Sequence, residues 1–347
     1  METKRLIVDI NVNNDEIYSQ AVDSLKNGEL VAFPTETVYG LGAIATNDTA
    51  VKKIFKAKGR PSDNPLIVHI GNAEELVNYI EEIPENATKC IDAFWPGPLT
   101  IVLKAKPGVL AKSVTAGLQT VGIRMPNHPV ALALLQKLKK PVAAPSANLS
   151  GKPSPTEARH VEEDLNGRIP YVLDGGTTGI GLESTVLDMT MTPPVILRPG
   201  GVTKEMLERV IGTVIQPTQA EQKMAETPKA PGMKYTHYAP EAPVYLIDCE
   251  KEKVKNAVHE LQKEGRVVAL LAPGSFSDIK ADWLFTFGEG NSQEEIAATL
   301  YQALRWCDKT NADIVLATIT SKDGVGAAIM NRLEKAAGGK YFTSINN

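Results

Sequence analysis

Short apolar runs that end at proline or glycine are the feature that most limits how this chain can fold. In the first part of the chain such runs lie at 30–34, 66–70, 101–103, 121–123 and 142–144. Each is long enough for a strand, and the proline and glycine residues around it stop regular structure. Several of these strands follow one another with no helix between them. This irregular alternation predicts an α/β (α+β) fold with a mixed, twisted sheet flanked by helices, rather than a regular doubly wound fold.

Four segments of the same region have the spacing of amphipathic helices, in which apolar residues recur every three or four positions. The first of them runs up to Gly28, and glycine commonly follows the end of a helix. We predict helices over 15–27, 47–58, 129–138 and 155–165.

The character of the sequence changes after Ile211. Residues 213–232 contain few large apolar side chains and are rich in Pro, Ala, Gln and Thr, as is typical of a linker. Beyond Pro243 strands and helices alternate regularly, which predicts a small, Rossmann-like parallel α/β domain. The predicted strands are 244–247, 267–272, 284–287 and 314–319, and the predicted helices are 250–264, 293–307 and 326–337. We therefore divide the chain into a first domain (1–211), a linker (212–242) and a C-terminal domain (243–347).

The charge balance argues against a protein that binds nucleic acid tightly through its phosphates. The chain has 37 Lys and Arg residues against 41 Asp and Glu, a net charge of −4, and neither part has a basic surplus. Its three cysteines are widely separated and form no disulfide or zinc-finger pattern, which indicates a reducing compartment. No stretch approaches the roughly 18 apolar residues of a membrane span, and we find no signal peptide. We expect a cytoplasmic protein with no membrane association.

Two proline-rich polar segments point to a binding site for a polyanion. The first, KGRPSDNPLIVH at 58–69, contains Lys58 and Arg60, whereas the second, APSANLSGKPSPT at 144–156, supplies hydroxyl and amide donors. Prolines hold these stretches out of helices, so their polar groups stay ordered and accessible. Ordered loops of this kind more often hold a ligand than merely join elements.

The cations of the first segment follow a basic helix. Lys52 and Lys53 fit the solvated face of that helix. We expect Lys58 and Arg60, by contrast, to lie past the end of the helix near Gly59.

The familiar catalytic motifs are missing from the sequence. It contains no G-x-x-x-x-G-K-[ST], G-x-G-x-x-G, H-E-x-x-H, C-x-x-C or G-x-S-x-G pattern, so a structural metal or a hydrolase triad is not expected. Cations and polar donors without an obvious nucleophile suit phosphoryl or nucleotidyl transfer, in which the enzyme mainly positions substrates and neutralises charge. The polar residues in question are Thr35, Thr37, Tyr39, Lys58, Arg60, Asn64, Thr120, Arg124, Ser146, Asn148, Ser184 and Arg198.

Simpler explanations exist for several polar residues taken singly. His69 ends an apolar strand, where a histidine is more often structural than functional. Arg124 follows a strand directly, and an ion pair there is about as reasonable as a ligand carboxylate. Ser184 fits a turn. Asp174 and Glu183 could bind Mg²⁺, but a solvated turn is the simpler interpretation of each.

Taken together, segments along nearly the whole chain resemble a known family. The segment APGMKYTHYAP (230–240) and the α/β domain after it look like the second half of the long, two-domain form of bacterial threonylcarbamoyl-AMP synthases. The segments similar to the YrdC-like domain of that family are PTETVYGLG (34–42), KGRPSDNPLIVH (58–69), WPGPLT (95–100), TVGIRMPNHP (120–129), APSANLSGKPSPT (144–156), ESTVLD (183–188) and ILRPGG (196–201).

The resemblance implies a nucleotidyltransferase that condenses L-threonine, bicarbonate and ATP to threonylcarbamoyl-AMP and pyrophosphate. The product would serve N6-threonylcarbamoyladenosine modification of tRNA through a downstream tRNA threonylcarbamoyltransferase complex, with tRNA itself bound at most weakly. Mg²⁺ would arrive with ATP, and no metal site on the protein is expected. Apart from the resemblance, the linker carries a compact cluster of Tyr235, His237 and Tyr238, from which we predict a lid that folds over the first domain and excludes water. The alternative is an inert spacer.

The resemblance also implies roles for individual residues. Lys58 and Arg60 would be catalytic. Residues implied to bind ATP are Lys58, Arg60, Asn64, Thr120, Ala144, Ser146, Asn148, Ser154, Arg198 and Tyr238. Residues implied to bind threonine are Thr35, Thr37, His69, Arg124 and Ser184.

Two alternatives to this function remain open. A carbamoyltransferase that uses carbamoyl phosphate contains a similar domain, but such proteins carry zinc-finger cysteines that this chain lacks. An RNA-binding or ribosome-maturation module would use the basic strip 52–60 as its contact, although the even charge balance disfavours it.

Overall fold

The computed structural model describes residues 2–217, 238–288 and 292–343. The chain divides into two compact units. Among the described residues, the first comprises 2–150 and 154–217, and the second comprises 151–153, 238–288 and 292–343. The domain limits expected from sequence, at 211 and 243, stay predictions.

The first unit is built on a ten-stranded sheet with the order β1-β8-β2-β3-β7-β4-β6-β5-β9-β10. Parallel pairs such as β4 with β6 lie beside antiparallel pairs such as β5 with β6, so the predicted mixed sheet is confirmed. The strands are β1 (Lys4–Ile7), β2 (Val31–Phe33), β3 (Gly40–Ile44), β4 (Ile67–His69), β5 (Leu99–Lys104), β6 (Thr120–Arg124), β7 (Val142–Ala143), β8 (Tyr171–Asp174), β9 (Thr185–Asp188) and β10 (Val195–Arg198).

Helices cover both faces of this sheet because alternate strand residues point to opposite sides. Val31 and Phe33 pack in one buried cluster with α1 and α5, whereas Ala32 belongs to a second cluster with α2 and α6. The helices are α1 (Asp15–Lys26), α2 (Asp48–Lys58), α3 (Glu85–Phe94), α4 (Lys112–Thr115), α5 (Pro129–Leu138), α6 (Ala158–Leu165) and α7 (Lys204–Ile211).

The start of one helix and the presence of one strand differ from what the sequence predicts. The helix predicted to begin at Pro155 begins at Ala158, because the carbonyl of Pro155 instead accepts a hydrogen bond from the backbone of Tyr39. Strand β3 was not predicted, since its sequence GLGAI carries two glycines. Gly42 is needed there: a Cβ at this position would lie 2.8 Å from the Phe33 ring.

The second unit contains a four-stranded parallel sheet with the order β11-β14-β12-β13, as the regular alternation predicts. Its strands are β11 (Val244–Ile247), β12 (Val268–Ala272), β13 (Trp283–Thr286) and β14 (Ile314–Thr318), and its helices are α8 (Lys251–Lys263), α9 (Gln293–Cys307) and α10 (Gly326–Ala336). No helix in the described ranges of either unit is long and apolar enough to cross a membrane.

Residues 151–153 belong to the second unit through hydrogen bonds to buried side chains and backbone. The backbone N–H of Tyr238 donates to the carbonyl of Gly151 (2.9 Å). The buried guanidinium of Arg305 donates to the carbonyl of Pro153 (2.6 Å).

Candidate active site

Backbone hydrogen bonds join three loops of the first unit and bring their polar side chains together. Tyr39 donates to the carbonyl of Pro155 and accepts from Ala147, both at 2.8 Å. Ile180 donates to the carbonyl of Glu36, also at 2.8 Å. The loop after β2, the loop after β7 and the loop before β9 are therefore held against one another.

Lys58 links the two proline-rich segments. It is 3% exposed, and its Nζ donates to the carbonyls of Ser146 (2.5 Å) and Asn148 (2.6 Å) and to Asn148 Oδ1 (3.2 Å). A lysine ammonium has three protons, which matches these three acceptors. The predicted helix end at Lys58 is confirmed, and Gly59 caps α2 in the left-handed conformation (φ 61°). The separate expectation that the Lys58 side chain lies past the helix was wrong, because Lys58 is the last helical residue.

The loop that Lys58 holds is ordered by its own side chains. Ser146 Oγ donates to Asn148 Oδ1 (2.5 Å), and Asn148 Nδ2 donates to the carbonyl of Leu149 (2.8 Å). Ala144, at the start of the loop, is buried and its N–H donates to the carbonyl of Ile67 (2.9 Å). Positions 144–148 are thus fixed relative to β4 and α2.

Asn64 is a fully buried residue whose amide is not satisfied. Neither its Oδ1 nor its Nδ2 has a hydrogen-bond partner among the residues that the structure describes. Its carbonyl accepts a long hydrogen bond from Arg60 Nη2 (3.4 Å), and the Arg60 guanidinium lies 5.9 Å from the centroid of the Phe55 ring. A buried unpaired amide costs free energy, so it is more readily explained by a ligand than by folding.

A buried arginine forms a second polar cluster. Arg124 is 4% exposed; its Nη1 donates to Thr37 Oγ1 (3.0 Å), and its Nη2 lies 2.6 Å from Glu36 Oε2. Thr35 Oγ1 donates to the carbonyl of Val38 (2.7 Å), so its contact with Thr37 Oγ1 (2.8 Å) must be one in which Thr37 donates. Of the two interpretations open for Arg124, the structure shows the ion pair, with Glu36 as the partner.

His69 lies buried at the end of β4, beside Arg124 at the end of β6 in the parallel register. Burial, with the positive charge of Arg124, lowers the pKa of His69 to about 3, so the imidazole is neutral near pH 7. Its Nδ1 has no hydrogen-bond partner within the described ranges. A neutral ring with an open nitrogen can bind a ligand but carries no charge.

Ser184 and Arg198 form a third polar cluster. Arg198 is buried and donates to the carbonyl of Ser184 through Nε (3.1 Å) and Nη2 (3.0 Å). Ser184 Oγ accepts from Arg198 Nη2 (3.2 Å) and lies 2.8 Å from Thr100 Oγ1. Ser184 is therefore held by side-chain contacts with Arg198 and Thr100, and not by its turn alone.

The two acidic residues considered for Mg²⁺ are not in solvated turns, so that expectation was wrong. Glu183 is buried and its Oε1 accepts a hydrogen bond from Ser154 Oγ (2.6 Å). Asp174 pairs with Arg5 (2.5 Å). Burial pushes the pKa of Asp174 up, but the Gly176 N–H and Arg5 together bring it below its usual value. In the part of the chain that the structure describes, no group of three His, Cys, Asp or Glu residues could hold a metal.

Of two further predicted residues, Thr120 lies in the first unit and Tyr238 in the second. Thr120 begins β6 and Arg124 ends it, which separates them by about 13 Å along the strand. Tyr238 lies in the second unit, where it is 5% exposed and its ring centroid is 5.1 Å from that of Tyr301. Tyr235 and His237, from the predicted lid, lie outside the described residues.

Sequence reasoning did not select Glu36. The residue lies between Thr35 and Thr37, in a loop that follows a buried strand. An acidic side chain between two selected residues was the available signal.

Comparison with known proteins identifies the family. A model of the Sua5, YciO and YrdC proteins, described as telomere recombination, matches residues 23–200. A model described as threonylcarbamoyl-AMP synthase, C-terminal domain, matches residues 202–338. The chain belongs to the threonylcarbamoyl-AMP synthase family. The resemblance found in the sequence motifs is thereby confirmed.

Full-length relatives exist within the threonylcarbamoyl-AMP synthase family. The chain is 51% identical to a threonylcarbamoyl-AMP synthase of Bacillus subtilis, over 99% of this chain and 100% of the relative. It is 50% identical to that of Pyrococcus abyssi, over 92% and 93%. A crystal structure of P. abyssi Sua5 complexed with L-threonine superposes with a TM-score of 0.93 at 46% identity, over 98% of this chain and 99% of that one.

Proposed function

We propose that this chain is an L-threonylcarbamoyladenylate synthase, which makes threonylcarbamoyl-AMP and pyrophosphate from L-threonine, bicarbonate and ATP. The observation that carries the proposal is the buried ammonium of Lys58, which joins the Lys58–Arg60 segment to the loop of Ser146 and Asn148. Two segments that resemble the family's nucleotide site are thus one connected structure in this chain.

The nucleotide side of the site would use the cations and amides around that link. Arg60 is half-buried, and its guanidinium, which suits paired phosphate oxygens, lies beside Asn64, to whose carbonyl its Nη2 donates a long hydrogen bond (3.4 Å). The unsatisfied amide of Asn64 would complete its hydrogen bonds on ATP. The other residues proposed to bind ATP are Lys58, Thr120, Ala144, Ser146, Asn148, Ser154, Arg198 and Tyr238.

The threonine side would centre on Arg124, whose guanidinium suits a free carboxylate. Thr37 Oγ1 accepts a hydrogen bond from Arg124 Nη1 and so orients the guanidinium. The neutral His69, on the neighbouring strand, has an Nδ1 with no hydrogen-bond partner among the described residues. Thr35 and Ser184 are the remaining residues proposed for this side.

The proposed chemistry needs positioned charge more than proton transfer. Threonine and bicarbonate form a carbamate without a catalyst, with loss of water. One oxygen of the carbamate then attacks the α-phosphorus of ATP, and the bond from that phosphorus to the bridging oxygen breaks to release pyrophosphate. Arg60 would donate to the departing pyrophosphate, and the positive charge of Lys58, whose protons are donated within the protein, would stabilise that group through space. Mg²⁺ bound to the ATP phosphates would neutralise further charge, and it would enter with the substrate because the carboxylates of Glu183 and Asp174 are already bonded within the protein.

Replacing Asn64 with leucine tests whether its amide serves a ligand. We expect the KM for ATP to rise roughly tenfold, because a bound nucleotide would lose one or two buried hydrogen bonds. The melting temperature of the ligand-free protein should hold or rise, since the substitution removes a buried unpaired amide. Steady-state kinetics and thermal unfolding measure the two effects.

Asn148 provides the matched control. Its amide is already bonded within the protein, so Asn148→Leu should lower the melting temperature as well as activity. If Asn64→Leu destabilised the ligand-free protein to the same degree, its amide would have a structural role instead.

The function itself is tested by pyrophosphate release from the full chain with ATP, Mg²⁺ and bicarbonate, with and without L-threonine. Release that depends on both threonine and bicarbonate, with a product of the mass of threonylcarbamoyl-AMP, is the expected result. Release driven by carbamoyl phosphate would favour the carbamoyltransferase alternative. Absence of turnover together with RNA binding at physiological salt would favour a binding module.

The remaining parts of the proposal concern the steps around the reaction. The product would pass to a tRNA threonylcarbamoyltransferase, with weak tRNA contact at most. The lid function of the linker stays a prediction, as does a cytoplasmic location. Closure of the linker over the site would keep water away from the carbamate, which is short-lived in water.

A further inference from the structure

Glu36 holds the position on Arg124 that a substrate carboxylate would need. Its Oε2 lies 2.6 Å from Arg124 Nη2, with the two side chains only 11% and 5% exposed. The backbone of Glu36 is fixed because its carbonyl accepts from the N–H of Ile180 (2.8 Å). Displacing the carboxylate therefore requires only a rotation of the side chain.

The pairing between Glu36 and Arg124 is close but poorly aligned. Neither carboxylate oxygen of Glu36 has a hydrogen bond of acceptable angle within the described residues, and neither does Nε or Nη2 of Arg124. An arginine normally binds a carboxylate through two parallel N–H···O bonds. The contact thus neutralises the buried charge of Arg124 while leaving the better bidentate geometry unused.

We propose that Glu36 is an internal substitute for the carboxylate of threonine: it neutralises Arg124 in the empty site and is displaced when threonine binds. This inference rests on the proposed function, in which Arg124 binds that carboxylate. A buried guanidinium without a partner is costly, so the substitute stabilises the ligand-free protein. Glu36 also makes the site selective for ligands that carry a carboxylate, because only such a ligand can replace Glu36 at Arg124.

The test is binding of L-threonine to the full-length protein by calorimetry, for the wild type and Glu36→Gln. Gln keeps the shape of Glu36 but removes the competing charge. We expect the dissociation constant for threonine to fall roughly 3- to 30-fold, because the site no longer spends part of its population in the self-paired state. Ligand-free Glu36→Gln should also melt at a lower temperature, and threonine should raise its melting temperature more than that of the wild type.

Glu36→Asp is the second variant, in case the uncharged one folds poorly. It keeps the charge but shortens the reach by one methylene, so threonine binding should tighten in the same direction by a smaller factor. Equal affinity in wild type and Glu36→Gln would overturn the inference, because it would show no competition. Weaker binding in Glu36→Gln would also overturn it, because Glu36 would then be a ligand of the threonine amine. Wild-type protein that does not bind threonine would instead contradict the proposed function.

Discussion

Replacing Arg60 with alanine is expected to slow pyrophosphate release by roughly 10²–10³-fold. The reason is that one positioned donor to a developing oxyanion contributes about that much to a transition state. The melting temperature should change little, since Arg60 is only half-buried and the hydrogen bond from its Nη2 to the carbonyl of Asn64 is long (3.4 Å). Single-turnover measurements at saturating ATP, threonine and bicarbonate would separate the chemical step from binding.

Two further variants make the Arg60 result specific. Arg60→Lys keeps the charge but not the planar fork, so its rate should lie between those of wild type and Arg60→Ala. Lys52→Ala removes a cation from the exposed face of α2, the helix that ends just before Arg60. Lys52 pairs there with Asp48 (2.8 Å), and its loss should have no effect on the rate. Near-normal turnover of Arg60→Ala would show that Arg60 is not catalytic.

Lys58→Met is expected to reduce both activity and stability. The substitution leaves the carbonyls of Ser146 and Asn148 without their buried donor, whereas the Asn148 side-chain oxygen keeps its hydrogen bond from Ser146 Oγ. Unsatisfied buried acceptors cost about 1–3 kcal/mol each, so a loss on the order of 3 kcal/mol in the free energy of unfolding is expected. That corresponds to a fall of roughly 6–12 °C in melting temperature. Thermal unfolding and pyrophosphate release, measured on the same preparation, give the two results.

Comparing the loss of activity with the loss of stability distinguishes a positioning role for Lys58 from a direct catalytic one. Lys58→Arg retains the charge, but a guanidinium fork does not fit three acceptors arranged around one ammonium, so it should not restore full stability. If Lys58→Met lost activity at an unchanged melting temperature, Lys58 would act on the substrate alone. Full activity in Lys58→Met would contradict both roles.

Periodicity was enough to predict most of the helices but not all of the strands. The helix at 129–138 was predicted correctly because apolar residues recur on one face and a proline begins it. Strand β1 was missed, because as an edge strand it is largely exposed and carries the charged residues Lys4 and Arg5. Strand β3 was missed because its glycines serve close packing against Phe33, a tertiary requirement with no local signal.

The sequence suggests candidate site residues, but it does not show which contacts they make. Lys58 was selected for its charge, yet its acceptors lie 88 and 90 residues further along the chain, and only the folded sheet brings them within reach. The same holds for Arg124 and Thr37, which are 87 residues apart. Glu36 is the clearest example. Its proposed role depends on Arg124, and no residue near Glu36 in the sequence points to that partner.

The pairing of β1 with β8 has a consequence for how the protein is made. Lys4 lies opposite Tyr171 in a parallel register at the edge of the sheet. At a synthesis rate of about 5–20 residues per second, β1 leaves the ribosome roughly 10–30 s before its partner strand exists. Strand β1 therefore cannot join its sheet before β8 has been made. A change in β1 should thus act on a step of folding that follows the synthesis of β8, and not on the first contacts that form.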